Sequence, residues 1–184
     1  KIYKKSGNDW TEEDFAYNNV KEYSLGHATL SGDGKTLYYA SDMPGGQGGV
    51  DIWYSELQGD GSWGTPQNAG SSINTAGDEM FPSVFGDNLY FSSNGQIGMG
   101  GLDIFKSKGS KNSFGKAVNL GYPINSASDD FAYVEEGDNA ESTFGYLSSN
   151  RKGGIGSDDI YSFDYRKPKI RILLEGLTKN KETG

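Results

Sequence analysis

Leu89-Tyr90-Phe91-Ser92-Ser93-Asn94 is one of three near-copies of a single phrase in this chain. The others are Leu37-Tyr38-Tyr39-Ala40-Ser41-Asp42 and Phe144-Gly145-Tyr146-Leu147-Ser148-Ser149-Asn150. A glycine-rich stretch follows each copy, and then an acidic, an apolar and an aromatic residue: Asp51-Ile52-Trp53, Asp103-Ile104-Phe105 and Asp159-Ile160-Tyr161. Ser41 and Ser93 lie 52 residues apart, Ser93 and Ser149 lie 56 apart. A period of about 50 residues built from short alternating segments describes small sheets that bury their faces only by stacking on one another. The sequence therefore predicts an all-β fold, a partial β-propeller of about three four-stranded antiparallel blades from a larger ring.

Within one unit the order of strands is legible. Ala28-Thr29-Leu30-Ser31 reads as the inner strand, Gly32-Asp33-Gly34 as a hairpin turn, and Thr36 to Ser41 as the second strand with alternating faces. Met43-Pro44-Gly45-Gly46-Gln47-Gly48-Gly49 is a loop, and Val50 to Ser55 the third strand. Trp63-Gly64-Thr65-Pro66-Gln67 falls where a short outer strand belongs, since proline is tolerated on an edge. The second unit repeats this from Phe81 to Val118, with Phe114 to Val118 as its outer strand. The connections between units also repeat: Ile73-Asn74 and Asp78-Glu79 match Ile124-Asn125 and Asp129-Asp130.

These matches divide the chain into residues 1–26, the outer half of a preceding blade; 27–79 and 80–130, two blades; and 131–165, a blade lacking its outer strand, with a long first turn over 135–141. Residues 166–184 are expected to be a linker and the first strand of another β-domain, Ile170 to Leu174. The chain opens at Lys1-Ile2-Tyr3, which reads as the inside of a repeat.

Composition agrees. Apolar residues make up only 34%, but aromatics reach 13%, and rings suit a half-buried pleated surface. The net charge of −8 divides unevenly: residues 1–164 hold 11 basic and 23 acidic residues (−12), and residues 165–184 hold 6 and 2 (+4). An acidic repeat region repels phosphate backbones, so no nucleic-acid partner is expected. Cysteine is absent, which removes disulfides and thiolate metal sites. No apolar run reaches the roughly 20 residues of a membrane-spanning helix, so no transmembrane segment is expected.

Candidate chemistry is sparse. His27 is the single histidine, at the start of an inner strand in register with Phe81 and Phe131, a packing position. Asp51, Asp103 and Asp159 recur once per unit, which fits carboxylates that bind local backbone amides beside the glycine loop. Asp78, Glu79, Asp129 and Asp130 between the blades read as an acidic rim at one channel mouth, able to face a basic partner or a cation. Trp10 and Trp63 join them as candidate interaction-face residues, and Trp53 reads as blade packing. Gly45 to Gly49 is followed by a strand, so it lacks the helix that a phosphate cradle needs. No unique carboxylate pair stands out for glycoside hydrolysis. On these grounds the chain is expected not to be an enzyme, with no catalytic residue, metal or cofactor.

The Leu-Tyr-Phe-Ser-Ser-Asn phrase, the glycine loop and the Asp-Ile-aromatic step resemble the TolB-like β-propeller repeats of OmpA-family outer-membrane proteins of Bacteroidota, over residues 27–164. Lys169 to Leu177 resembles the first strand of a carboxypeptidase-regulatory-like β-sandwich. The resemblance implies a lipoprotein at the outer membrane, facing the periplasm and reaching peptidoglycan through a domain outside this chain. Its implied function is a non-catalytic protein–protein interaction scaffold that links an envelope machine (type IX secretion, gliding or outer-membrane protein assembly) to the cell wall, with other envelope proteins as partners. The alternative reading is a ligand-binding, cation-binding or hydrolytic propeller acting at the channel mouth.

Overall fold

A computed structural model describes residues 2–13, 15–17, 20–138, 141–167 and 181–182. Its regular structure there is entirely β. A hairpin, β1 (Ile2–Ser6) and β2 (Asp9–Glu13), precedes three antiparallel sheets. The first sheet is β3 (Leu25–Leu30), β4 (Thr36–Ser41), β5 (Asp51–Glu56) and β6 (Gln67–Asn68), in that order. The second runs β7 (Glu79–Phe85), β8 (Asn88–Ser93), β9 (Asp103–Ser110), with β10 (Ser113–Phe114) and β11 (Val118–Asn119) both pairing β9. The third is β12 (Asp130–Asp138), β13 (Ser142–Ser149) and β14 (Asp159–Arg166). Sheets in chain order, each a meander and each stacked on the next, make this part of a β-propeller.

The stacking follows from period-two alternation. On the forward side of the first sheet Tyr38, Ala40, Ile52 and Tyr54 meet Leu89, Phe91 and Phe105 from the rear of the second. The forward side of the second sheet presents Tyr90 and Ile104 to Tyr133 and Leu147 of the third. Leu37, Tyr39 and Trp53, at the rear of the first sheet, are covered by Phe15 with Tyr17 and Tyr23 beside it. The glycine loops permit this closeness. A Cβ on Gly48 would strike the carbonyls of Thr75 and Gly77, and one on Gly100 those of Ser126 and Ser128, so each loop lies directly against the backbone of the next junction.

Several boundaries differ from the sequence reading. The outer strand of the first sheet is Gln67–Asn68, with Trp63 reduced to an isolated bridge to Leu57. In the second sheet the outer segment is split, because Lys116 and Ala117 between β10 and β11 leave the ladder. The acidic stretch expected as a long turn instead extends β12 to Asp138, through two register shifts against β13. The expected strand Ile170 to Leu174 lies outside the described residues. No helix among the described residues is long and apolar enough to cross a membrane.

Candidate functional site

The inner strands β3, β7 and β12 lie side by side. Each breaks its pairing with the second strand at the same place: the register skips between Gly26 and Thr29, Met80 and Ser83, and Phe131 and Val134. At each skip one residue other than glycine takes a left-handed backbone: His27 (φ 51°), Phe81 (φ 54°) and Ala132 (φ 52°). A side chain there costs about 1 kcal/mol or more, because Cβ crowds the following carbonyl. The three bulges therefore store strain at one level of three neighbouring strands.

The bulges re-aim aromatic rings. His27 stacks on Phe81 with centroids 3.9 Å apart and planes at 16°, and Phe81 lies 5.0 Å from Phe131. The ladder thus matches the three residues that sequence alignment put in register. Its backbone equivalence is different: Phe131 pairs with Ser148 as Met80 pairs with Ser92, so Ala132 is the true counterpart of His27 and Phe81. Phe131 joins the stack from one position earlier. Two cavities flank the ladder, one of about 300 Å³ beside Leu25, Ser41, Asp42 and Met80, and one of about 160 Å³ beside Ser83, Ala132 and Val134. Loss of water around His27 holds its imidazole below the ordinary histidine range, which favours the neutral ring.

A larger cavity of about 630 Å³ opens between the first and second sheets at their turn ends, near Asp33, Asp87, Lys108 and Lys111. Two of its charges are already engaged. Lys111 is paired with Glu56, and Asp33 accepts from the Ser31 hydroxyl and the Lys35 amide.

The inter-blade acids are built into the junctions. Glu79 and Asp130 are completely buried at matching positions, opposite Ser93 and Ser149. Glu79 accepts from the Thr75 amide and hydroxyl (2.7 Å each) and from the Ser93 hydroxyl (2.6 Å). Burial pushes the Glu79 carboxyl above the usual carboxylate range, against the pull of those donors. Asp130 accepts from the Ser126 amide and hydroxyl and pairs with Arg151, whose guanidinium also lies over the Tyr161 ring at 5.0 Å. Asp78 and Asp129 are half-buried: Asp78 takes the Val50 amide and the Asn94 side chain, Asp129 the Leu102 amide and the Asn150 side chain. Glu79 and Asp130 therefore present nothing to an outside partner, and Asp78 and Asp129 tie one repeat to the next.

The once-per-unit acids hold the glycine loops. Asp51 accepts the Gln47 amide, Asp103 those of Met99 and Gly100, and Asp159 those of Ile155 and Gly156. Asn74 and Asn125, which sequence reading noted only as a repeat, clamp these strands. Asn125 accepts from the Ile104 amide and donates to the Ile104 carbonyl and to Asn119, and Asn74 does the same with Ile52 and Asn68.

The tryptophans divide. Trp10 is 63% exposed on β2, with Lys5 near its ring. Trp63 is half-buried against the cluster of Phe15, Tyr39 and Trp53, and its indole Nε1 is buried without a hydrogen-bond partner. Trp53 is buried, donating from Nε1 to the Ser41 carbonyl. Among the described residues no three histidine or acidic side chains come together as metal ligands would.

No family model matches the chain, and no curated protein matches it. Among solved structures it is similar to a thermostable family-43 glycoside hydrolase, at 15% identity and a TM-score of 0.45, over 89% of this chain. This chain spans 64% of that protein's chain. The expectation that the chain is not an enzyme is corrected to an open one, since the protein it is similar to is a glycoside hydrolase. At this identity and score it assigns no activity to the chain.

Proposed function

We propose that this chain is a binding module of a β-propeller, receiving an extended peptide segment of a partner protein on the ladder of His27, Phe81 and Phe131. The observation that carries the reading is the coincidence of strain with a ring stack that is exposed at His27 and half-buried at Phe81 and Phe131. Three equivalent positions keep a left-handed backbone, and two of them carry rings that stack on each other along the inner strands rather than filling a sheet-to-sheet core. Strain of this kind persists where surrounding structure enforces it, and it gathers at recognition sites. Flat stacked rings suit proline or aromatic side chains of an extended segment, which lose little entropy on docking.

The resemblance of the repeats to those of OmpA-family outer-membrane proteins supports a cell-envelope setting, with the partner a component of an envelope machine and peptidoglycan engaged by a domain outside these residues. The test is selection of peptides from a displayed library on the purified chain, followed by titration of a selected peptide against His27→Gly. Glycine accepts the left-handed backbone, so the variant should unfold at the same or higher urea, with a gain of about 1 kcal/mol. Peptide affinity should fall about tenfold with one stacked ring removed, a loss of roughly 1.4 kcal/mol. Unchanged affinity in a stable His27→Gly protein would sink the proposal.

A further inference from the structure

We infer that the forward side of the third sheet is a docking surface for one more sheet of the same repeat, supplied from outside these 184 residues. Ile52, Ile104 and Ile160 occupy the same position on β5, β9 and β14, paired respectively with Ala40, Ser92 and Ser148. Ile52 and Ile104 are 0% exposed, and Ile160 is 78% exposed. Tyr38 and Tyr90 are each 2% exposed, and their counterpart Tyr146 is 44% exposed. In the first two sheets the next blade does the covering.

The repeat thus defines the chemistry of the missing cover. The first forward face is met by Leu89, Phe91 and Phe105, and the second by Tyr133 and Leu147, with Tyr161 and Phe163 flanking. Each cover sets a Leu of its second strand beside an aromatic of its third: Leu89 with Phe105, and Leu147 with Tyr161. A second copy of this chain is not the occupant. Its rear faces are already used, the first by Phe15, Tyr17 and Tyr23 and the others by the preceding sheets. The edge agrees: β14 pairs only with β13 among the described residues, whereas β5 and β9 each carry outer strands.

The 184 residues contain no cysteine, so an introduced thiol reads one site. Ile160→Cys is labelled with a maleimide–diazirine reagent, once in the purified 184-residue chain and once in the natural-length protein in its own cells. Labelling is read by mass spectrometry of the peptide that holds residue 160. Ser162→Cys, on the same exposed side of β14, repeats the measurement with a milder change, and Asp60→Cys, at an exposed position after β5 of the first sheet, is the control that should label equally in both. The expected result is fast labelling of the purified chain and at least about tenfold protection in the natural-length protein, as packing against a neighbour requires. Photolysis of the small labelled fraction should then cross-link to a peptide carrying a Leu–aromatic–Ser–Ser strand or an Asp-Ile-aromatic step. Equal labelling in both samples would overturn the inference. So would protection that appears in the purified chain as its concentration rises, which assigns the face to a second copy, or a cross-linked peptide without the repeat.

Discussion

The two blade junctions use one plan with different charge. Between the first and second sheets Glu79 sits fully buried among neutral donors, the Thr75 amide and hydroxyl and the Ser93 hydroxyl. Between the second and third, Asp130 sits equally buried with the same kind of donors from Ser126, plus the guanidinium of Arg151. One junction meets a buried carboxylate with hydrogen bonds alone, the other with a counter-ion. The repeat thus specifies an acid and its hydroxyl partners, and leaves the choice of how the charge is compensated to each copy.

Removing the counter-ion should break the comparison most severely. Arg151 also donates to the carbonyls of Pro123 and Ile124, so Arg151→Ala strands a buried carboxylate and two acceptors. A loss of about 3 kcal/mol is expected, as for any buried pair with one member deleted. Urea unfolding measures it, and a change below about 1 kcal/mol would mean that water replaces the guanidinium.

The asparagine clamps should sharpen the comparison by being equal. Asn74→Ala and Asn125→Ala each remove three hydrogen bonds from a matching site, and each should cost about 2 kcal/mol. A large difference in urea midpoint between the two variants would show that the junctions differ in more than their ion pair.

The smallest expected effect is a pH dependence carried by Glu79 at the first junction. Glu79 has its folded pKa raised by burial. The folded state then holds the proton more tightly than the unfolded chain does. The stability this contributes is fully present below the ordinary carboxylate pKa of about 4.3 and is lost as pH rises through the raised folded value. Glu79→Gln should lack that loss. The difference in unfolding free energy between the variant and the parent, followed from pH 4 to 7 (a range of about 3 units around the carboxylate region), should move in favour of the variant as pH rises. A flat difference would mean that the donors from Thr75 and Ser93 fully offset the burial.

How far the sequence disclosed this arrangement follows from what each residue does locally. Strands and turns were legible because alternation and glycine act at short range: Leu37 to Ser41, Leu89 to Ser93 and Asp103 to Ser107 fall in strands as read. The ring stack was legible as an alignment of His27 with Phe81 and Phe131. Its one-residue offset was not, because a bulge adds a residue without changing the pattern around it. The acids misled for a physical reason. Glu79 and Asp130 read as surface because charge ordinarily faces water, and only the fold brings Ser93 and Ser149 opposite them. Nothing local distinguishes Ile160 from Ile104, whose burial is decided by what stacks on top.

The matching junctions bear on how such a chain changes in evolution. Residues 79–129, a stretch of 51, begin with one buried acid and stop just short of the next. They contain the glycine loop that abuts the following connection, the asparagine that clamps the third strand, and the aspartate that reaches the next unit's asparagine. A duplication or deletion of that length would rejoin like with like. Every new boundary would inherit a working set of donors and acceptors, so the number of blades can change in whole steps by recombination, without the intermediate of a half-fitted seam.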